Sequence, residues 1–220
     1  MKSFPLFTCI SMLGIILAHS LAFAYVPMER EMGAVQRIFY FHLPSAWLCY
    51  LGFIVCAVAS LRYLLSGESR HDALALSAAE VGLTFGVVVL TTGPLWARVA
   101  WGTWWKWEPR LTTMALLFLI FAAYWLLRSF GGPGEGLRKF SAVLAVFGAP
   151  NIVFVHIAVT RWRGDHPNNI RLDPEMRVVL YSALFFMIIL FIQLLRLRYQ
   201  SHLQQRTLAA LRRRLSRLSA

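Results

Sequence analysis

Six apolar runs, each close to the length of a membrane-crossing helix, occupy most of this chain: residues 6–25, 44–65, 73–95, 109–127, 140–159 and 178–195. Crossing about 30 Å of hydrocarbon takes roughly 20 helical residues, and inside lipid each backbone N–H and C=O has to be satisfied within its own segment. The chain is therefore expected to be all-α, a polytopic membrane protein with six transmembrane helices. With 58% hydrophobic and 15% charged residues, it cannot be an ordinary soluble domain. Its 220 residues hold six spans with short connections. The organisation expected is one membrane domain over residues 1–195 and a basic amphipathic tail over 196–220.

The first run ends in Ala22-Phe23-Ala24, which also has the form of a signal-peptidase site. A retained span is favoured, and removal of it would not change which side the later loops face. Residues 26–42 place Met28, Met32, Val35 and Phe39 at helical spacing, the pattern of an interfacial amphipathic helix. Gly82-x-x-x-Gly86 in span three permits close helix contact. The 3 cysteines lie in apolar runs without C-x-x-C or zinc spacing, against a disulfide scaffold, a thiol redox motif or covalent c-type haem attachment.

Net charge is +12, and seven arginines without an acidic residue fall after residue 195. Beside a membrane span such a segment marks the cytoplasmic side and an anionic lipid surface, rather than nucleic acid. In a six-span protein the first, third and fifth loops share one side, and here they carry His42, a tryptophan-rich stretch and His166. The arginine-rich tail, Arg62, Arg70, Arg128, Arg138 and Lys139 lie on the other side. Both termini are then cytoplasmic, and the aromatic loops face outward.

Five of the chain's 8 tryptophans (Trp96, Trp101, Trp104, Trp105 and Trp107) fall within residues 96–112. If that segment is helical, Trp101, Trp104 and Trp105 form one stripe of indoles. Such a platform suits a large planar ligand, and Arg98, Lys106 and Arg110 among it suit anionic arms on that ligand; the bland alternative is cations snorkelling to headgroups. Of the six histidines, His71 and His202 read as solvated, His19 as a helix contact, and His156 as an interfacial residue without special role. His42 and His166 share a face with the tryptophans, and two neutral imidazoles on opposite sides of a flat macrocycle are the usual way to hold haem iron. Glu80, about two turns into span three, either pairs with a cation or stays protonated.

The stretch W-G-T-W-W-K-W-E-P-R-L-T at residues 101–112, preceded by Thr92-Gly93 and Trp96, resembles the tryptophan-rich WWD-type signature of haem-handling proteins of cytochrome c maturation. The likeness is strongest to the haem exporter protein C (CcmC) family, and I-F-Y-F-H-L-P-S-A-W before span two extends it over nearly the whole chain. The resemblance implies that His42 and His166 are axial ligands of a transiently bound haem b. It also implies that Trp101, Trp104, Trp105 and Trp107 form the platform, and that Arg98, Lys106 or Arg110 meets the propionates. Glu108 stands where the family usually has aspartate, Arg161-Trp162 where it has a tryptophan pair, and Pro167 where a glutamine commonly follows the ligand histidine.

The implied function is non-enzymatic: presenting haem at the periplasmic face of a bacterial inner membrane to a haem chaperone, alongside ABC transporter subunits, during c-type cytochrome biogenesis. Two alternatives are a synthase-type relative that itself attaches haem to apocytochrome c, and a small-solute transporter whose tryptophans are only a structural belt.

Overall fold

The computed structural model describes residues 4–29, 32–132, 134–161 and 172–218. Among the described residues seven α-helices follow one another: α1 (Phe4–Ala24), α2 (Phe39–Ser66), α3 (Ser69–Trp101), α4 (Pro109–Phe130), α5 (Glu135–Gly148), α6 (Asn151–Arg161) and α7 (Pro174–Leu218). They supply 6 spans long and apolar enough to cross a membrane, α5 and α6 together making the fifth. The expected all-α polytopic architecture is thus the one adopted.

Small residues set the central packing. A Cβ on Gly52 of α2 would come within 2.6 Å of the Gly82 Cα on α3, so these two helices touch backbone to backbone. One turn on, Gly86 makes room for the Phe118 ring of α4, where a Cβ would sit 2.8 Å from it. The Gly82-x-x-x-Gly86 motif therefore lets α3 close on both α2 and α4, the close approach that small residues allow in lipid. Phe53 of α2 stacks on Phe121 of α4 with ring centroids 4.0 Å apart, in a core completed by Leu48, Leu117, Met187 and Phe191. α1 lies on the outside against α7, where the Thr8 hydroxyl donates to Gln193 Oε1 at 2.9 Å and Gly14 accommodates Phe186.

Charge fastens one end of the bundle. Asp72, in the first turn of α3 where the helix dipole favours an acid, is fully buried and receives both Arg128 of α4 and Arg206 of α7. About two turns along α3, Glu80 accepts from Arg198 Nε at 2.7 Å and Nη2 at 2.8 Å, with His202 Nε2 2.9 Å away. Pairing with a cation is thus the outcome at Glu80. His202 does not match the solvated reading: its side chain is 11% exposed and faces Glu80. His71 is half-buried, with Nδ1 3.0 Å from the Ser66 hydroxyl.

Two local expectations need correction. Residues 26–42 do not make one amphipathic helix. Gly33, at φ 58, turns the chain into a short 3-10 segment, Ala34–Ile38, which runs directly into α2, so Phe39 and His42 belong to the span itself. Span five is broken at Ala149-Pro150, because proline lacks the N–H that would continue the ladder and its ring clashes with the preceding turn. α6 restarts at Asn151, whose Nδ2 donates to the Thr113 carbonyl of α4 at 2.8 Å. α7 is continuous through 45 residues, about 67 Å at 1.5 Å per residue, so the leucines of the basic tail extend span six; Leu208, Leu211, Leu215 and Leu218 are all exposed.

Candidate functional site

At the end of the bundle away from the charged clusters, the start of α2, the end of α3, the start of α4, α6 and the start of α7 enclose a cavity of about 650 Å³. This lies within the roughly 300–1,000 Å³ of small-molecule and cofactor sites. Its lining is mostly apolar and aromatic, with Trp47, Tyr50, Trp96, Trp101, Trp104 and Trp105 among the walls. Gln36, His42, His156 and Arg110 are among its polar points.

The tryptophans reach the cavity differently from the expected helical stripe. α3 continues through Pro94 and carries Trp96 and Trp101 in its last two turns; Gly102, at φ 74, then ends it in the left-handed conformation that glycine adopts without penalty. Trp104 and Trp105 therefore sit on a non-helical linker between α3 and α4. The indoles meet edge to face: Trp96 on Trp101 at 4.9 Å and 82°, and Trp105 on Trp107 at 5.7 Å and 75°. The Trp105 Nε1–H is buried and has no hydrogen-bond acceptor among the described residues, a donor held in the wall of the cavity.

Trp107 is 81% exposed and does not line the cavity. Glu108 is buried as the N-cap residue of α4, where its carbonyl accepts from Thr112 N at 3.0 Å, with Pro109 at the first helical position. It is not among the residues that line the cavity. Arg98 caps the end of its own helix through the Gly102 carbonyl and lies 5.9 Å over the Trp104 ring, while the Lys106 ammonium lies 5.3 Å over Trp101. Among the described residues, Arg110 is the only arginine or lysine in the cavity wall.

His42, in the first turn of α2, has Nδ1 2.8 Å from Thr92 Oγ1 of α3. His166 lies outside the described residues. The chain on either side of it does reach the site: His156 of α6 and Leu172, just before α7, both line the cavity. Sequence reasoning set His156 aside, and what would have promoted it is the break at Pro150, which makes α6 a separate short helix packed on α4. His19 is a helix-contact residue, its Nδ1 2.7 Å from the Ile15 carbonyl and its ring edge-on to Phe41.

Fold and site together define a class: a six-span membrane protein with an indole-walled, histidine-bearing cavity at one end of the bundle. Residues 1–219 match the profile of the family described as Heme exporter protein C. The chain is 32% identical over 200 residues to Heme exporter protein C of Rhodobacter capsulatus, covering 87% of this chain and 83% of that one. It is 30% identical over 193 residues to the Paracoccus denitrificans protein of the same name, covering 84% and 80%. Against that of Escherichia coli K12 it is 30% identical over 173 residues, covering 76% and 70%. The chain belongs to the haem exporter protein C family, components of cytochrome c maturation.

Proposed function

We propose that this protein receives haem b as cargo in the indole-walled cavity and presents it, at the periplasmic face of a bacterial inner membrane, to a haem chaperone. ABC transporter subunits of the maturation system are its membrane partners, and both termini are cytoplasmic. The observation that carries this reading is His42, an imidazole on the wall of an aromatic cavity of about 650 Å³ that also offers Arg110 and the buried Trp105 N–H. This donor set fits haem: one nitrogen for the iron, flat indoles for the ring, and a guanidinium for the carboxylates.

In this reading His42 and His166 grip the iron, and Trp96, Trp101, Trp104 and Trp105 exclude water and supply contact area. Arg110 takes a propionate, while Arg98 and Lys106 brace the indoles. Trp107 forms the solvent-facing rim and is placed to meet the chaperone. A second ligand reading, favoured by the place of His156 in the cavity wall, makes that residue the partner of His42.

Absorption spectra of the full-length protein purified from haem-replete cells separate these readings. His42→Ala and His166→Ala are expected to lose the retained Soret-absorbing pigment or its bis-histidine signature, with His156→Ala keeping both. Loss in His156→Ala but not His166→Ala transfers the second ligand to α6. Wild-type retention in both His42→Ala and His166→Ala would refute the axial assignment.

A further inference from the structure

The contact between His42 and Thr92 contains more information than its length. The Thr92 hydroxyl has one hydrogen and two close neighbours: the Val88 carbonyl oxygen at 2.7 Å and His42 Nδ1 at 2.8 Å. A carbonyl only accepts, and two oxygens at 2.7 Å need a proton between them, so the hydroxyl hydrogen goes to Val88. What Thr92 offers His42 is a lone pair, and the hydrogen of the second contact has to come from Nδ1. A neutral imidazole carries a single N–H, so Nε2 is left with its lone pair. Donation to Val88 also polarises the hydroxyl and makes it a better acceptor. Gly93 adds to the fit: a Cβ there would lie 3.4 Å from His42 Cε1, so the ring rests against the α3 backbone.

We propose that Thr92 is a positioning residue that holds His42 as the Nδ1–H tautomer, with Nε2 ready to bind iron, while Gly93 leaves the space in which the ring is aimed. The inference rests on the reading of His42 as a haem ligand. Outer partners of this kind commonly change metal affinity about 10- to 100-fold when removed, because they set the orientation and basicity of the imidazole.

The test titrates haemin into full-length, haem-depleted protein carrying Thr92→Val, Thr92→Ser or His42→Ala. It records affinity, the low-spin absorption and electron paramagnetic resonance spectra, and the midpoint potential of the bound haem. Valine keeps the shape and loses the acceptor; if its gel-filtration profile departs from wild type, Thr92→Ala replaces it. The expected result is affinity about 10- to 100-fold weaker with an altered low-spin signature and a shifted potential in Thr92→Val, and near-wild-type values in Thr92→Ser. Unchanged affinity and spectra in Thr92→Val, beside loss of haem in His42→Ala, overturn this proposal and leave the ligand reading standing. Equal losses in the serine and valine variants also overturn it, since the hydroxyl would then be immaterial. Haem bound normally by His42→Ala overturns both readings.

Discussion

Asp72 is the residue whose loss should cost the bundle most. Its carboxylate is 2% exposed and lies between the Arg128 guanidinium, 7% exposed, and that of Arg206, 27% exposed. In Asp72→Ala the Arg128 charge stays buried without its counter-ion, and removing one partner of a buried pair typically costs about 3–5 kcal/mol. Arg128→Ala should cost less, because Asp72 keeps Arg206. Arg206→Ala should cost least, about 1–2 kcal/mol, since a quarter of that side chain is in solvent and screening discounts a charge-assisted hydrogen bond. In a chain of this size each kcal/mol moves the unfolding midpoint by about 2–4 °C, so Asp72→Ala should melt about 6–20 °C below wild type. Thermal scans in detergent, read by gel filtration after heating, give the ranking. The double variant Asp72→Ala with Arg128→Met should recover part of the loss, because no buried charge is stranded. Asp72→Ala within about 1 kcal/mol of wild type, or a double variant worse than the sum of the singles, would refute the reasoning.

Two further outcomes follow from packing and from the cavity. Gly52→Ala should destabilise by about 1–3 kcal/mol, because its Cβ would meet the Gly82 backbone at 2.6 Å, whereas Gly136→Ala, with open space around it, should be neutral or stabilising in the same thermal assay. Arg110→Gln should weaken haem retention by the worth of one hydrogen bond to a charge, about 1.5–3 kcal/mol or on the order of tenfold to hundredfold. Arg98→Gln and Lys106→Gln should weaken it less, and a haemin titration in which either exceeds Arg110→Gln would reassign the propionate contact.

The parts of this fold legible in the sequence are those written in short-range pattern. Each apolar run became a span, Gly82 and Gly86 became close contacts, and Pro109 began α4. The indole stripe failed because it assumed that helix continued past Gly102, where φ 74 ends α3 and puts Trp104 and Trp105 on a linker. Span five looked continuous because Ala149-Pro150 is apolar and hydropathy does not register a missing N–H. The charged clusters were invisible for another reason: Asp72 and Arg206 are 134 residues apart, and Glu80 and His202 are 122 apart. No local spacing announces such pairs, so His202 read as solvated. The cavity was half legible. His42, Trp101, Trp104, Trp105 and Arg110 were named from chemistry and family likeness, while Trp47, Tyr50 and His156 enter only through helix packing.

The solute-transporter alternative can be weighed against these same residues. Its best evidence was Glu80, a carboxylate within a span, which a coupling ion or substrate could use. That carboxylate accepts twice from Arg198 and faces His202, so α7 already takes up its charge. Transporter sites near the bilayer midplane are typically made by paired broken helices in corresponding halves. Here, among the described residues, the break at Ala149-Pro150 has no counterpart in another span, and the first residue after it is engaged by the Thr113 carbonyl. The cavity, by contrast, sits at one end of the bundle, walled by a linker that carries Trp104, 57% exposed, and Trp107, 81% exposed. A bundle with one end braced by ion pairs and the other edged by exposed indoles is suited to offering a planar ligand to another protein, and this asymmetry weighs for presentation over passage.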